Sequence, residues 1–175
     1  MARNKINKDV EVVIANNTGG SYFYQSQNGQ LIIDLENRGD EDYVTFADIK
    51  SIMSRHRKTI EDLDLLIVDV LDDEVTIDDV VEALRVTDSY NELKSISLDG
   101  EINVDTIYDF VTKGDPERVK KIAQSEKSKL IHRVAEATIR AFRKDELKDL
   151  NKLSSISNGI GHIDPYDYWK DSTIE

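Results

Sequence analysis

The stretch "ANNTGGSYFYQSQNGQLIIDLENRGDEDYVTF", which runs from Ala15 to Phe46, decides the class of the N-terminal fold. Runs of aromatic and β-branched residues alternate in it with two turn signals, Asn17-Thr18-Gly19-Gly20 and Asn28-Gly29. Asn-Gly favours a tight hairpin because both residues tolerate positive φ. The first signal could cradle a phosphate only before a helix N-terminus, and a strand-like Tyr-Phe-Tyr run follows it instead. We therefore predict a plain hairpin turn there.

Alternating apolar residues predict strands on both sides of these turns. The predicted strands are, in chain order, Val10 to Ile14, Tyr22 to Gln25, Leu31 to Ile33 and Tyr43 to Thr45. A further turn, Asn37-Arg38-Gly39-Asp40, precedes the last of them. We therefore expect a three- or four-stranded antiparallel β-meander. The apolar run from Leu65 to Val68 is predicted to rejoin this meander as a returning strand.

Two capping signals predict short helices within this N-terminal part. Thr45 is followed three residues later by Asp48, and Thr76 by Asp79, which is the spacing of a capping box. Apolar residues at helical spacing follow both signals. A third helix is predicted over about Val104 to Val111 and ends near Gly114. The segment from Ser89 to Leu98 is ambiguous between helix and loop.

The C-terminal part predicts one long helix. Asp115-Pro116 is a start signal, and no helix-breaking residue follows before about Lys144. Residues 159 to 175 have no apolar period and are predicted to form an extended tail. The expected fold is therefore α+β: a small N-terminal β-meander with short helices (residues 1–95), a helical region with the long helix (residues 96–158), and the tail (residues 159–175).

Composition excludes several classes of protein. The chain has 175 residues, a net charge of −12 and no Cys, so disulfides, thiolate zinc sites and Cys nucleophiles are excluded together. The start, MARNKINKDVEVVI, lacks the apolar core of a signal peptide, and no run approaches the roughly 18 apolar residues of a membrane helix. We therefore expect no membrane association and no secretion by that route.

Three patterns resemble ligand sites, and each has a simpler structural interpretation. Leu98 to Asn103 resembles the middle of an EF-hand loop, but the other ligand positions fail, so a turn before a helix is predicted. The carboxylates Asp69, Asp72, Asp73 and Glu74 are interpreted as a solvated loop rather than a Mg²⁺ or acid–base site. His56, His132 and His162 have no partner at ligand spacing. No cofactor, metal or catalytic residue is predicted.

Charge and aromatic residues point to protein partners. Acidic residues dominate from Glu61 to Asp115, whereas basic residues dominate the predicted long helix. The basic helix suggests nucleic acid, but the net charge and the lack of interleaved aromatics argue against it. In the tail, Tyr166, Tyr168 and Trp169 are predicted to bind a partner, because Tyr and Trp anchor interfaces. This docking is left open between the chain's own domain and another chain.

The succession "VEVVIANNTGGSYFYQSQNGQLIIDLENRGDEDYVTFADIKSIM", followed by "LLIVDV" and "VTIDDVVEALRVTDSY", resembles the layout of small virion structural proteins of tailed bacteriophages. The resemblance covers roughly residues 10 to 90 and carries no catalytic motif. It implies an architectural part of a head, neck or tail, located in the virion and made in the host cytoplasm.

These observations lead to one expected function and two alternatives. The expected function is a non-enzymatic structural or adaptor protein that binds other structural proteins of a large assembly, with a homo-oligomer left open. The first alternative is an acidic regulatory protein that binds a nucleic-acid-processing machine, with the region from Glu61 to Asp115 imitating phosphate charge. The second alternative is an enzyme whose site has no recognisable motif.

Overall fold

The computed structural model describes residues 6–125 and 128–161. In these residues the strands are β1 (Glu11–Asn16), β2 (Tyr22–Gln25), β3 (Ile32–Leu35), β4 (Glu41–Thr45) and β5 (Leu65–Val70). The helices of the N-terminal part are α1 (Phe46–Arg55), α2 (Arg57–Glu61), α3 (Ile77–Leu84) and α4 (Thr87–Ile96). The later helices are α5 (Thr106–Lys113), α6 (Pro116–Ala123), α7 (Ile131–Arg143) and α8 (Leu150–Gly159). The predicted α+β class is confirmed, and the ambiguous segment after Ser89 is helical.

The chain forms two compact units, Met1–Tyr90 and Asn91–Glu175. The boundary falls within α4, whose first residues belong to the first unit and whose remaining residues belong to the second. The predicted division into residues 1–95, 96–158 and 159–175 stays a prediction.

The first unit is built around β1. This strand pairs antiparallel with β4 on one side and with β5 on the other, and its residues from Val12 to Asn16 are buried. A bulge between Val13 and Ile14 shifts the register with β5. The prediction that the Leu65 run returns to the sheet is therefore confirmed.

The predicted continuous meander is wrong. Among the described strands, β2 and β3 pair only with each other, as a separate two-stranded sheet, so the segment from Asn17 to Gly20 connects two sheets and is not a hairpin turn. The reason is that both edges of β1 are already occupied. β5, with its apolar run from Leu65 to Val68, is a longer and more buried strand than β2, so β5 takes the edge that β2 would need.

The two predicted capping boxes are confirmed. The Thr45 hydroxyl accepts from the Asp48 N–H at 3.1 Å, and the Asp48 carboxylate accepts from the Thr45 N–H at 3.1 Å. Thr76 and Asp79 repeat this exchange at the start of α3, at 3.2 and 2.9 Å. Each box satisfies N–H groups that a helix start leaves without partners, so α1 and α3 begin where their sequences predict.

The predicted long helix is replaced by two helices. Asp115 caps α6 as expected, but α6 ends at Ala123 and α7 begins at Ile131. At the break, the Leu130 N–H donates to the Ser128 hydroxyl at 3.2 Å, and the Lys129 N–H donates to the Glu92 carboxylate at 2.9 Å. Side-chain oxygens here compete with the helical backbone, which is how Ser and Glu end a helix despite an unbroken apolar pattern.

The break allows the second unit to build a core from short helices. α5 packs against α7, and α6 packs against α8. Val119, Phe110, Val134 and Ile156 are fully buried in this unit. A straight helix from Pro116 to Lys144 would carry its two apolar halves too far apart to share one small core, so the chain folds back between them.

Candidate partner-binding surface

The β2–β3 hairpin is anchored to the first unit by its inner face. Tyr22 shares a hydrogen bond with Thr59, and the Tyr24 ring meets the His56 ring edge-on, with 5.7 Å between centroids. Ile33 on the neighbouring strand is fully buried. Burial raises the pKa of the Tyr22 phenol, which therefore stays protonated at neutral pH. The α1–α2 corner thus holds the hairpin through two tyrosines.

The base of the hairpin is fixed by one buried amide, that of Asn16. Its Nδ2 donates to the carbonyl oxygens of Gly20 at 2.7 Å, Asn37 at 3.0 Å and Leu35 at 3.4 Å. Its Oδ1 accepts from both the N–H and the hydroxyl of Thr18, at 2.9 and 2.8 Å. Because Asn16 ends the central strand, these bonds tie both ends of the hairpin to the three-stranded sheet.

The outer face of the hairpin carries exposed apolar side chains. Phe23 is 62% exposed and Ile32 is 53% exposed. The register places Phe23 opposite Asp34 and Gln25 opposite Ile32. Opposed residues share a face of a sheet, so Phe23 and Ile32 are diagonal neighbours on one surface. Adjacent exposed apolar residues are typical of surfaces that bind another protein.

The edges of the three-stranded sheet are closed by carboxylates. On β4 the Tyr43 N–H, which points away from β1, donates to the Asp42 carboxylate at 2.8 Å. On β5 the Val70 N–H donates to the Asp69 carboxylate, also at 2.8 Å. Charged groups on edge strands oppose the addition of a further strand. Both edges of this sheet therefore resist pairing with another chain.

The edge of β2 lacks such protection. The Ser26 N–H donates to the Leu31 carbonyl at 2.9 Å, and the alternation of an antiparallel pair then turns the N–H and C=O groups of Phe23 and Gln25 outward. No residue in the described part of the chain carries a partner for them. An uncharged open edge beside exposed Phe23 and Ile32 distinguishes this hairpin from the other sheet. We call this edge together with the outer face the hairpin surface.

A sequence signal for this surface exists, and the motif analysis missed it. No charged residue occurs from Val12 to Ile33, although 33% of the chain is charged. Residues 1–90 contain 9 Lys and Arg against 19 Asp and Glu, a difference of −10. The uncharged stretch therefore contains β2 with its open edge and Ile32, and Asp34 is the charged residue of the outer face.

The acidic loop after β5 has a structural role. The Asp72 carboxylate accepts from the N–H groups of Glu74 at 2.8 Å and Val75 at 3.0 Å, and Asp69 binds Val70 as described. Within residues 6–125 and 128–161 no group of three or more His, Cys, Asp or Glu is arranged to hold a metal ion. The Asp72 carboxylate thus fixes the backbone of the residues that lead into α3.

The segment that resembles an EF-hand loop is the predicted turn. Asp99 accepts from the Glu101 N–H and the Ser97 hydroxyl, both at 2.9 Å, and Gly100 has a positive φ of 90°. The bond from the Glu101 N–H, followed by that from Ser97, lowers the pKa of Asp99. These bonds direct the carboxylate into the turn, so the prediction of a turn before a helix is confirmed.

Of the histidines and tail aromatics considered in the sequence analysis, only His56 and His132 lie in the described residues. His56 lies between α1 and α2 against Tyr24, and His132 is exposed on α7. His162 and the predicted partner-binding residues Tyr166, Tyr168 and Trp169 lie outside the described residues.

Basic residues of the second unit fasten its helices together. The Arg140 guanidinium lies 4.8 Å and the Lys144 ammonium 5.6 Å from the centre of the Tyr108 ring, and the Tyr108 hydroxyl donates to Glu146 at 2.6 Å. These contacts join α5 to α7 and the residues that follow it.

Lys152 holds the end of α5. Its buried ammonium donates to the carbonyl oxygens of Val111 at 2.9 Å and Thr112 at 3.3 Å, which the end of a helix leaves without intrahelical partners. Burial lowers the pKa of this ammonium. The Lys152 charge therefore serves packing within the unit, as do those of Arg140 and Lys144, which belong to the basic segment that suggested nucleic acid.

Comparison of the chain with protein-family models, with curated proteins and with solved structures finds no match. The resemblance of residues 10 to 90 to virion structural proteins therefore stays a sequence-based expectation. Across residues 6–125 and 128–161, none of the helices has the length and apolar content needed to span a bilayer.

Proposed function

We propose that this protein is a non-enzymatic structural or adaptor component of a large assembly, and that it binds a neighbouring protein through the hairpin surface. The observation that carries the proposal is the exposure of Phe23 and Ile32 on one face of a hairpin that is itself firmly anchored. A rigid element that presents apolar groups to water is suited to binding, because little conformational entropy is lost on contact.

The use of carboxylates supports a structural role. Asp48, Asp79, Asp99 and Asp72 each accept hydrogen bonds from backbone N–H groups at helix starts or turns. These four carboxylates therefore stabilise helix starts and turns, and this structural role explains their presence. The bacteriophage virion, as a head, neck or tail part, is the assembly we propose, on the sequence resemblance alone.

Co-purification from the native source tests this proposal. A tagged Phe23→Ser/Ile32→Ser variant should lose the stoichiometric partners that the wild-type chain recovers, while its far-UV circular dichroism stays unchanged because both side chains are exposed. Leu150→Ser is the matched control, since Leu150 is 75% exposed and lies in the second unit. Equal recovery of partners by the double variant and the wild type would refute the proposed surface.

The acidic regulatory alternative is favoured by the charge of the first unit, where residues 1–90 carry 9 basic and 19 acidic residues. Such a surface can imitate a phosphate backbone and attract a basic protein. The salt dependence of partner binding separates the two functions. Binding through the hairpin surface should change little with ionic strength, whereas phosphate mimicry should weaken steeply as salt screens the charges.

A further inference from the structure

We infer that the open edge of β2 pairs with the same edge of a second copy, so that two hairpins join into one antiparallel sheet with the strand order β3-β2-β2-β3. This inference rests on the proposed function, because it names an occupant for part of the hairpin surface. It concerns the backbone edge of β2, whereas the proposed function rests on the side chains of the outer face.

The backbone of β2 can form such a ladder. Phe23 and Gln25 both turn their N–H and C=O groups away from β3, because Ser26 and Leu31 form a hydrogen-bonded pair. If the two-fold axis lies at Tyr24, Phe23 of one copy stands opposite Gln25 of the other. Each such pair exchanges two hydrogen bonds, so the four strands form a continuous ladder across the axis.

The distribution of charge on the first unit favours a second copy as the occupant of this edge. The first unit carries a charge difference of −10, so two copies repel one another wherever their acidic surfaces meet. β2 and its flanking residues are free of charge from Val12 to Ile33, so this edge lets two copies approach without opposing like charges. A basic partner would gain more from the carboxylate-lined edges at Asp42 and Asp69.

The side chains of the outer face are compatible with this pairing. In this pairing Phe23 faces an uncharged Gln25, and Asp34 of each copy lies on an outer strand. Because the two β2 strands lie between the two β3 strands, the two Asp34 residues stand roughly 14 Å or more apart, across three strand spacings. The one charged residue of the outer face therefore does not oppose itself.

Sedimentation equilibrium of the full chain, from micromolar to near-millimolar concentration, tests the inference. We expect a reversible dimer of twice the 19.9 kDa chain mass. Gln25→Pro removes an outward N–H without touching the β2–β3 bonds, and should raise the dimer dissociation constant on the order of tenfold or more. Asp34→Pro is the matched control, because it removes the outward N–H at the opposite edge of the same hairpin, and it should leave the dimer intact.

A charge-swap experiment tests whether the two copies meet through β2. The Phe23→Lys/Gln25→Lys and Phe23→Glu/Gln25→Glu variants should each be monomeric alone, and an equimolar mixture should form the heterodimer. A chain that stays monomeric throughout, or a dimer that Gln25→Pro leaves unchanged, overturns the inference. A monomeric wild-type chain whose native partners still depend on Phe23 and Ile32 overturns the inference while the proposed function stands. A dimer that Gln25→Pro weakens, together with native partners that do not depend on Phe23 and Ile32, supports the inference and refutes the proposed function.

Discussion

The backbone N–H of Ile67 donates a 2.7 Å hydrogen bond to the phenol oxygen of Tyr90. Ile67 lies on β5, whose outer edge pairs with no strand of residues 6–125 and 128–161, and both residues are almost completely buried. Tyr90 therefore supplies, from a helix, the acceptor that a further strand would otherwise provide. Together with Asp69 at Val70, this contact closes the β5 edge.

Tyr90→Phe should destabilise the first unit by about 1–3 kcal/mol, because it leaves the Ile67 N–H buried without an acceptor. Urea unfolding followed by circular dichroism measures this loss. Tyr22→Phe is the comparison, since Tyr22 is less buried and its loss should be smaller. Equal stabilities of the wild type and Tyr90→Phe would show that the contact contributes nothing.

The same contact predicts an alkaline instability. Burial raises the pKa of the Tyr90 phenol above its ordinary value of 10.0, so the unfolded chain loses this proton first. The stabilisation by Tyr90 is therefore complete below pH 10 and decreases as the pH rises beyond it. The unfolding free energy of Tyr90→Phe should fall less steeply above pH 10 than that of the wild type.

Asn16→Ala should cost roughly 2 kcal/mol or more, because three carbonyl groups and the Thr18 hydroxyl lose a buried partner together. Asn17→Ala is the matched neighbour and should cost only about 1 kcal/mol, because the Asn17 amide donates one bond within the described residues, to the Leu63 carbonyl. Thermal unfolding of the two variants compares them. The reverse order would contradict the role assigned to Asn16.

The stabilisation that the Thr76–Asp79 cap provides should decrease at acidic pH. Thr76→Ala should cost about 1 kcal/mol. The Thr76 hydroxyl, followed by its N–H, lowers the pKa of Asp79. This stabilisation is therefore present above the ordinary carboxylate pKa of 3.8 and is lost as the pH falls through the lower folded value. Asp79→Asn should therefore unfold with a shallower dependence on pH below 4 than the wild type.

Alanine substitutions at two small residues of α8 should have opposite effects on stability. Gly159 lies so close to α6 that an added Cβ would meet the Ala123 carbonyl oxygen at 2.2 Å, so Gly159→Ala should destabilise by roughly 1 kcal/mol or more, despite the better helix propensity of Ala. The Ser157 hydroxyl is buried without a partner in the described residues, so Ser157→Ala should leave stability unchanged or raise it. Differential scanning calorimetry of both variants gives the two signs.

Local signals predicted the parts of the fold that depend on a few neighbouring residues. The caps at Thr45, Thr76 and Asp115 act within one helical turn, and the turns around Gly29, Gly39 and Gly100 need only a residue that tolerates positive φ. Such interactions are encoded in consecutive residues, so a pattern suffices to recognise them.

The errors concern choices between distant partners. Whether β2 or β5 pairs with β1 depends on competition for one edge, which no local pattern records. The break after Ala123 depends on Glu92, which lies far back in the chain and accepts from Lys129. The hairpin surface carries no motif, because its signal is an absence of charge from Val12 to Ile33.

We expect the hairpin surface to be covered by protein when this chain is in its assembly. Amide hydrogen exchange at Phe23 and Gln25 tests it most directly, because both N–H groups point outward and have no acceptor in the described residues. In the dilute isolated chain both amides should exchange rapidly, while those of Tyr22 and Tyr24 are protected by β3. In the assembled state the exchange of Phe23 and Gln25 should slow to match their neighbours. Rapid exchange of Phe23 and Gln25 in both states would contradict the account.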